Sequence, residues 1–130
     1  MVTLEWNTED VGKAYAAYIS GDLDPVDNIT LYGLGDDGDV NYRESKVLND
    51  SGEMIGVATD KNQDFYHKKM ISLAVLDKEY AEEGKELSVL WGTDPAKQMK
   101  IRATVAQFPY YNGEWRNETC DVYKMVPQTK

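Results

Sequence analysis

Apolar and polar positions change their period once along this chain, from near 3.6 to near 2. Val11, Ala14, Tyr15, Tyr18 and Ile19 recur at three- and four-residue spacing, which predicts an amphipathic helix over residues 7–20. Asn7 or Thr8 can cap its first amides, Glu9 and Asp10 suit the positive end of its dipole, and Gly21 ends it. Residues 21–43 show no period. Asp22, Asp24, Asp27, Asp36, Asp37 and Asp39 are interspersed with Pro25, Gly33, Gly35 and Gly38, and only Ile29–Tyr32 reads as a short strand.

From residue 44 the period is that of strands. Ser45–Leu48 and Glu53–Ala58 flank Asn49-Asp50-Ser51-Gly52, a four-residue hairpin turn. Met70–Leu76 is apolar at nearly every position, as in a strand covered on both faces. Leu87, Val89 and Trp91 alternate with polar neighbours, as do Met99, Ile101, Ala103 and Val105, and Cys120–Met125 reads as a last strand. About six short strands separated by turns predict a mainly β fold, a small antiparallel β-barrel of Greek-key or jelly-roll type with an N-terminal helix. The expected organisation is one domain: helix 7–20, acidic loop region 21–43 and barrel 44–126.

Length and composition fit that single domain. The chain has 130 residues with 42% apolar and 28% charged positions, enough to bury a core without disulfides. Its net charge of −9 argues against nucleic acid or an anionic membrane as partner. The charge sits in the first half, where residues 1–60 hold 13 acids and 3 bases. No apolar run matches the roughly 20 residues of a membrane span, no leader pattern precedes residue 7, and Cys120 is the single cysteine. These features place the expected location in the cytoplasm.

Candidate chemistry is sparse. The aspartate clusters lack the spacing of a calcium loop and read as solvated turns, so no metal site is expected. Gly33-Leu34-Gly35-Asp36-Asp37-Gly38 matches a phosphate-binding glycine pattern in letters alone, since its two aspartates repel a pyrophosphate. His67 is the only histidine and has Asp64 as its one sequence-local orienting partner, so it reads as a turn residue rather than a catalytic base. Phe108, Tyr110, Tyr111 and Trp115 with Arg116 make an aromatic cluster that suits either stacking on a flat ligand or packing at a barrel end. No catalytic residue emerges.

The ordered series Gly52–Thr59, Met70–Asp77, Glu79–Gly92 with its Val89-Leu90-Trp91-Gly92 ending, Ile101–Ala106 and Pro109-Tyr110 resembles the C-terminal barrel of the aminomethyltransferase family. That family includes the glycine-cleavage T-protein and the tetrahydrofolate-dependent O-demethylases of methoxylated aromatics, the latter branch being the more similar. The resemblance covers residues 44–111 best. It implies a domain that helps to close a tetrahydrofolate-dependent methyl or aminomethyl transfer site, with the folate cleft and the acidic catalytic residue supplied by two further domains or a separate subunit. Met1 falls near the start of the family's third domain, so the chain is expected to be a cut-out domain or a small gene product, inactive and not binding folate alone. Arg102, Tyr110 and Trp115 are the cofactor-contact candidates that the resemblance implies, although Trp115 stands where the family pattern has a tyrosine. The alternative is a non-catalytic accessory module that docks a partner protein through its barrel or its acidic first half.

Overall fold

The computed structural model describes residues 1–21, 44–92 and 96–111. Among them, six strands form a closed antiparallel barrel: β1 (Val2–Trp6), β2 (Ser45–Leu48), β3 (Met54–Asp64), β4 (Lys69–Leu76), β5 (Glu86–Trp91) and β6 (Met99–Ala106). The one helix, α1 (Thr8–Ser20), follows β1 directly. The spatial order is β1-β4-β3-β2-β5-β6, in which β1-β4-β3-β2 is a Greek key: three hairpin-linked strands with a fourth returning beside the last of them.

The barrel and the N-terminal helix are as expected, but the sixth described strand lies where none was predicted. Val2, Leu4 and Trp6 alternate with Thr3 and Glu5, a period-2 pattern of only five residues that a search for a leader passes over. β1 pairs with β4 through Leu4 and Ser72 and with β6 through Leu4 and Val105, so it joins the barrel's two edges. The barrel therefore draws on residues that the expected span 44–126 omits. The predicted strands at 29–32 and 120–125, and all of the acidic loop region 21–43 beyond Gly21, lie outside the described residues.

Local chemistry explains the turns that were legible. The Asn49 side-chain oxygen accepts from the amides of Ser51 and Glu53, at 3.0 and 2.9 Å, and Gly52 supplies the left-handed backbone (φ 83°) that closes the turn. Asn7 caps α1 by accepting from the Asp10 amide at 3.1 Å, and Gly21 ends the helix in the left-handed region. β3 runs further than predicted, to Asp64, because a register shift between Thr59 and Asn62 lets it bend while staying paired with β4.

One cluster of buried side chains fills the barrel. Leu4, Val47, Val89, Ile101 and Val105 point inward, and α1 seats Val11 and Ala14 over one end. Tyr15 and Tyr18 pack at its margin, whereas Ile19, expected on the same face, is 82% exposed at the last turn. Trp6 and Trp91 meet edge to face at 5.4 Å, and the Trp6 indole donates to the buried Ser72 hydroxyl at 2.9 Å.

β3 and β4 approach closely at Gly56. A Cβ there would lie 2.2 Å from the Val75 carbonyl oxygen, a backbone atom that cannot swing aside. Gly56→Ala is therefore expected to destabilise the barrel by about 3 kcal/mol, measured by urea unfolding against the wild type. Equal midpoints would show that the strands separate freely at this point.

Candidate functional site at the polar end of the barrel

Polar side chains from distant parts of the sequence converge beside the start of α1. A groove of about 330 Å³ is lined by Glu5, Asn7, Glu9, Lys69, Glu86 and Arg102, among others. β1 contributes Glu5, the one position of that strand that is not buried, between Leu4 and Trp6 of the core. β6 contributes Arg102 by the same alternation, between the buried Ile101 and Ala103.

Arg102 is a clamp between β6 and the helix. Its Nε and Nη2 donate to the two carboxylate oxygens of Asp10, both at 2.8 Å, and its backbone amide donates to Asp10 Oδ2 at 3.0 Å. The Asn7 amide returns a bond to the Arg102 carbonyl at 2.8 Å. This bidentate pairing holds the Asp10 carboxyl down at about 2, against the opposing effect of burial, and raises the Arg102 guanidinium further above its usual range. The carboxylate recognised by this arginine is thus internal.

Tyr110 enters from the loop after β6. Its hydroxyl donates to Glu5 Oε1 at 3.0 Å, while Lys69, at the start of β4, pairs with Glu5 Oε2. Burial, reinforced by the Glu5 bond and charge, pushes the Tyr110 phenol up to about 12. It remains a neutral donor at any physiological pH.

Beyond Tyr110 lies the β3–β4 turn. His67 Nδ1 meets Asp64 Oδ2 at 2.5 Å, and Asp64 Oδ1 accepts from the amides of Tyr66 and His67 at 2.9 and 3.2 Å. The imidazole bond is the chief reason that the Asp64 carboxyl sits below its ordinary value. Three tyrosine rings meet the imidazole in T-shaped contacts: Tyr66 at 4.9 Å, Tyr110 at 5.0 Å and Tyr111 at 5.4 Å. Tyr66 also meets Tyr111 at 5.7 Å, and hydrogen bonding between the two raises the Tyr111 phenol.

Of the three candidates from the resemblance, Arg102 and Tyr110 sit at this end of the barrel, linked through Glu5, which lines the groove with Arg102 and accepts from Tyr110. Trp115 lies outside the described residues. Sequence reasoning missed Glu5, Asp10 and Lys69 as members of the site. Asp10 was legible only as a first-turn acid on α1, since its partner is 92 residues away. Among the described residues no group of three histidine, cysteine or acidic side chains is arranged to hold a metal ion. No helix among them is long and apolar enough to cross a membrane.

With this geometry in place, comparison with known proteins gives the site a context. The chain is similar to a sesamin methylene transferase. That protein, from Sinomonas sp. (strain No.22), is 41% identical over 128 residues, covering 93% of this chain and 28% of the relative. A syringate O-demethylase from Sphingobium sp. (strain NBRC 103272 / SYK-6) is 33% identical over 84 residues, covering 52% of this chain and 18% of the relative. The chain thus spans less than a third of the length of each. No protein-family model matches it.

The Asp10–Arg102 clamp has a pH signature. A carboxyl that titrates near 2 when folded and near its ordinary 3.8 when unfolded contributes stability that is complete above about pH 5. That stability is lost as pH falls through 4 towards 2. Allowing for solvent around the exposed guanidinium, the contribution is about 1–2 kcal/mol. Asp10→Asn is expected to lower stability by that amount at pH 7 and by much less at pH 2, followed by urea unfolding across the range. A pH-independent difference would show that Asp10 does not act through its charge.

Proposed function

We propose that this chain is the equivalent of the C-terminal barrel of a larger tetrahydrofolate-dependent transferase. In this role it helps to close a site where a methyl, methylene or aminomethyl unit is transferred, without supplying the catalytic acid or base. The observation that carries the reading is the 41% identity to sesamin methylene transferase across nearly the whole chain, with both relatives named for one-carbon removal or transfer. The chain's share of those lengths supports a role beside further domains or a catalytic subunit. A cytoplasmic setting suits the single cysteine.

The chain's own residues fit one wall of a folate site. Tetrahydrofolate, when bound, accepts the one-carbon unit. Flat heterocycles are held by apolar faces with a few fixed polar groups, and Tyr66, Tyr110 and Tyr111 offer such faces and phenols. The anionic tail of a folate has no evident holder here: Lys69 and Arg102 are bound by Glu5 and Asp10, and Glu9 and Glu86 add negative charge to the groove. The remainder of the site is therefore assigned to other domains. In this division Arg102 fixes the helix against the barrel, and Tyr110 holds the loop after β6 to β1.

The competing expectation, a non-catalytic docking module, has no likeness of comparable extent behind it. A chimera decides between the two. Replacing the matching 128 residues of sesamin methylene transferase with this chain is expected to preserve methylene transfer within about ten-fold, roughly 1.4 kcal/mol at the barrier. The isolated chain is expected to show no transfer and no saturable quenching of tryptophan fluorescence by tetrahydrofolate. A folded chimera without activity would contradict the proposed role, and transfer by the isolated chain would contradict the division of labour.

A further inference from the structure

β4 is apolar on more positions than the core uses. Every residue of Met70–Leu76 except Ser72 is apolar, the pattern of a strand covered on both faces. Met70, Ser72 and Ala74 are buried in the barrel, which leaves Ile71, Leu73 and Val75 to the other face. Ile71 and Leu73 are half-buried, but Val75 is 55% exposed.

Val75 is not isolated. The half-buried Val57 of β3 stands opposite it. On its other side the β1–β4 register, which pairs Val2 with Ala74, continues to Met1, 68% exposed. β6 runs beside β1 with Ala106 opposite Thr3, and Phe108, two residues further on, is 47% exposed at the same end. The four residues thus come from neighbouring strands, in the order β3-β4-β1-β6, or from their immediate extensions. The exposed Lys46 of β2, opposite Val57, bounds the row. Single exposed apolar residues need no explanation, whereas a contiguous set marks a contact surface.

Three observations choose the occupant. The chain past Phe108 leads away from the row: Tyr110 bonds Glu5 and Tyr111 meets Tyr66 of the β3–β4 turn, at the opposite end of β4. A net charge of −9 sets copies of this chain against one another. The relatives carry more than two-thirds of their length outside the matching span. We propose that Val57, Val75, Met1 and Phe108 form the face on which this barrel docks against an apolar surface of a further domain of the same transferase. The identity of that occupant rests on the proposed transferase role. The polar groove beside α1 does not serve this contact, since its cations are already bound by Glu5 and Asp10. A contact of this kind is insensitive to salt and is broken by a charge placed within it.

The test compares the full chain alone with the sesamin methylene transferase chimera, both labelled by a photoactivated carbene and read by mass spectrometry at Val75 and Phe108. Both residues are expected to label readily in the chain alone and about five-fold less in the chimera, as in the dry centre of an interface. Val75→Glu is expected to leave the urea midpoint of the chain unchanged, because the position is exposed, and to restore labelling of Phe108 in the chimera. Val75→Leu is expected to keep Phe108 protected. Equal labelling in chain and chimera, or a protected Phe108 in the Val75→Glu chimera, would overturn the proposal. Weak labelling of the chain alone would overturn it too, giving the face to a second copy if the chain sediments as a dimer and to residues 22–43 or 112–130 if it sediments as a monomer. A protected row in an inactive chimera would remove the transferase role and leave the docking face standing. An active chimera whose row still labels would do the reverse.

Discussion

The pairing of β1 with both β4 and β6 is the constraint on which everything else in the described structure depends. Five residues, Val2–Trp6, join the barrel's two edges, and without them β4 and β6 would each expose a row of unpaired backbone groups. The same five residues carry Leu4 and Trp6 into the core, where a tryptophan of this kind contributes on the order of 3–5 kcal/mol. Because α1 begins two residues later, the closing strand also sets where the helix docks. The Asp10–Arg102 clamp then ties that helix back to β6, the strand on which β1 has just closed.

Closure and site are therefore one arrangement. Glu5 stands on the outer face of the closing strand, and its carboxylate joins Lys69 of β4 to Tyr110 of the loop after β6. Tyr110 in turn contacts the imidazole of the β3–β4 turn. The aromatic cluster is thus tied to the barrel wall through Glu5 and Tyr110. Charges inside this arrangement are mutually satisfied. Lys69 and Arg102 are thereby engaged by Glu5 and Asp10, while Tyr66 stays largely exposed.

The sequence was most legible where the signal was local. Asn49 and Gly52 build their hairpin from contacts within five residues, Asn7 and Gly21 bracket the helix, and the alternation in β5 and β6 names the inward residues correctly. It was least legible where the partner is remote. Val2–Trp6 is too short for its alternation to stand out, yet its pairing spans most of the chain. Asp10 looks like an ordinary helix-start acid until Arg102 is placed beside it, and Glu5 gives no sign of its link to Tyr110. His67 illustrates a half-legible case: Asp64 was visible three residues away as a partner, but two of the three tyrosine rings against the imidazole, Tyr110 and Tyr111, come from a loop more than 40 residues downstream. The ordered series of strand motifs pointed to a barrel of one-carbon transfer proteins, and the relatives carry names of that kind.

The central claim, that β1 is the closing element of the barrel rather than an appended strand, is tested most directly by native-state hydrogen exchange. If closure depends on β1, the amides of β1 exchange only through the same global unfolding that exposes β4 and β6, with matching free energies and matching denaturant dependence. Exchange of the β1 amides by local fraying, while β3 to β6 keep global protection, would contradict the account.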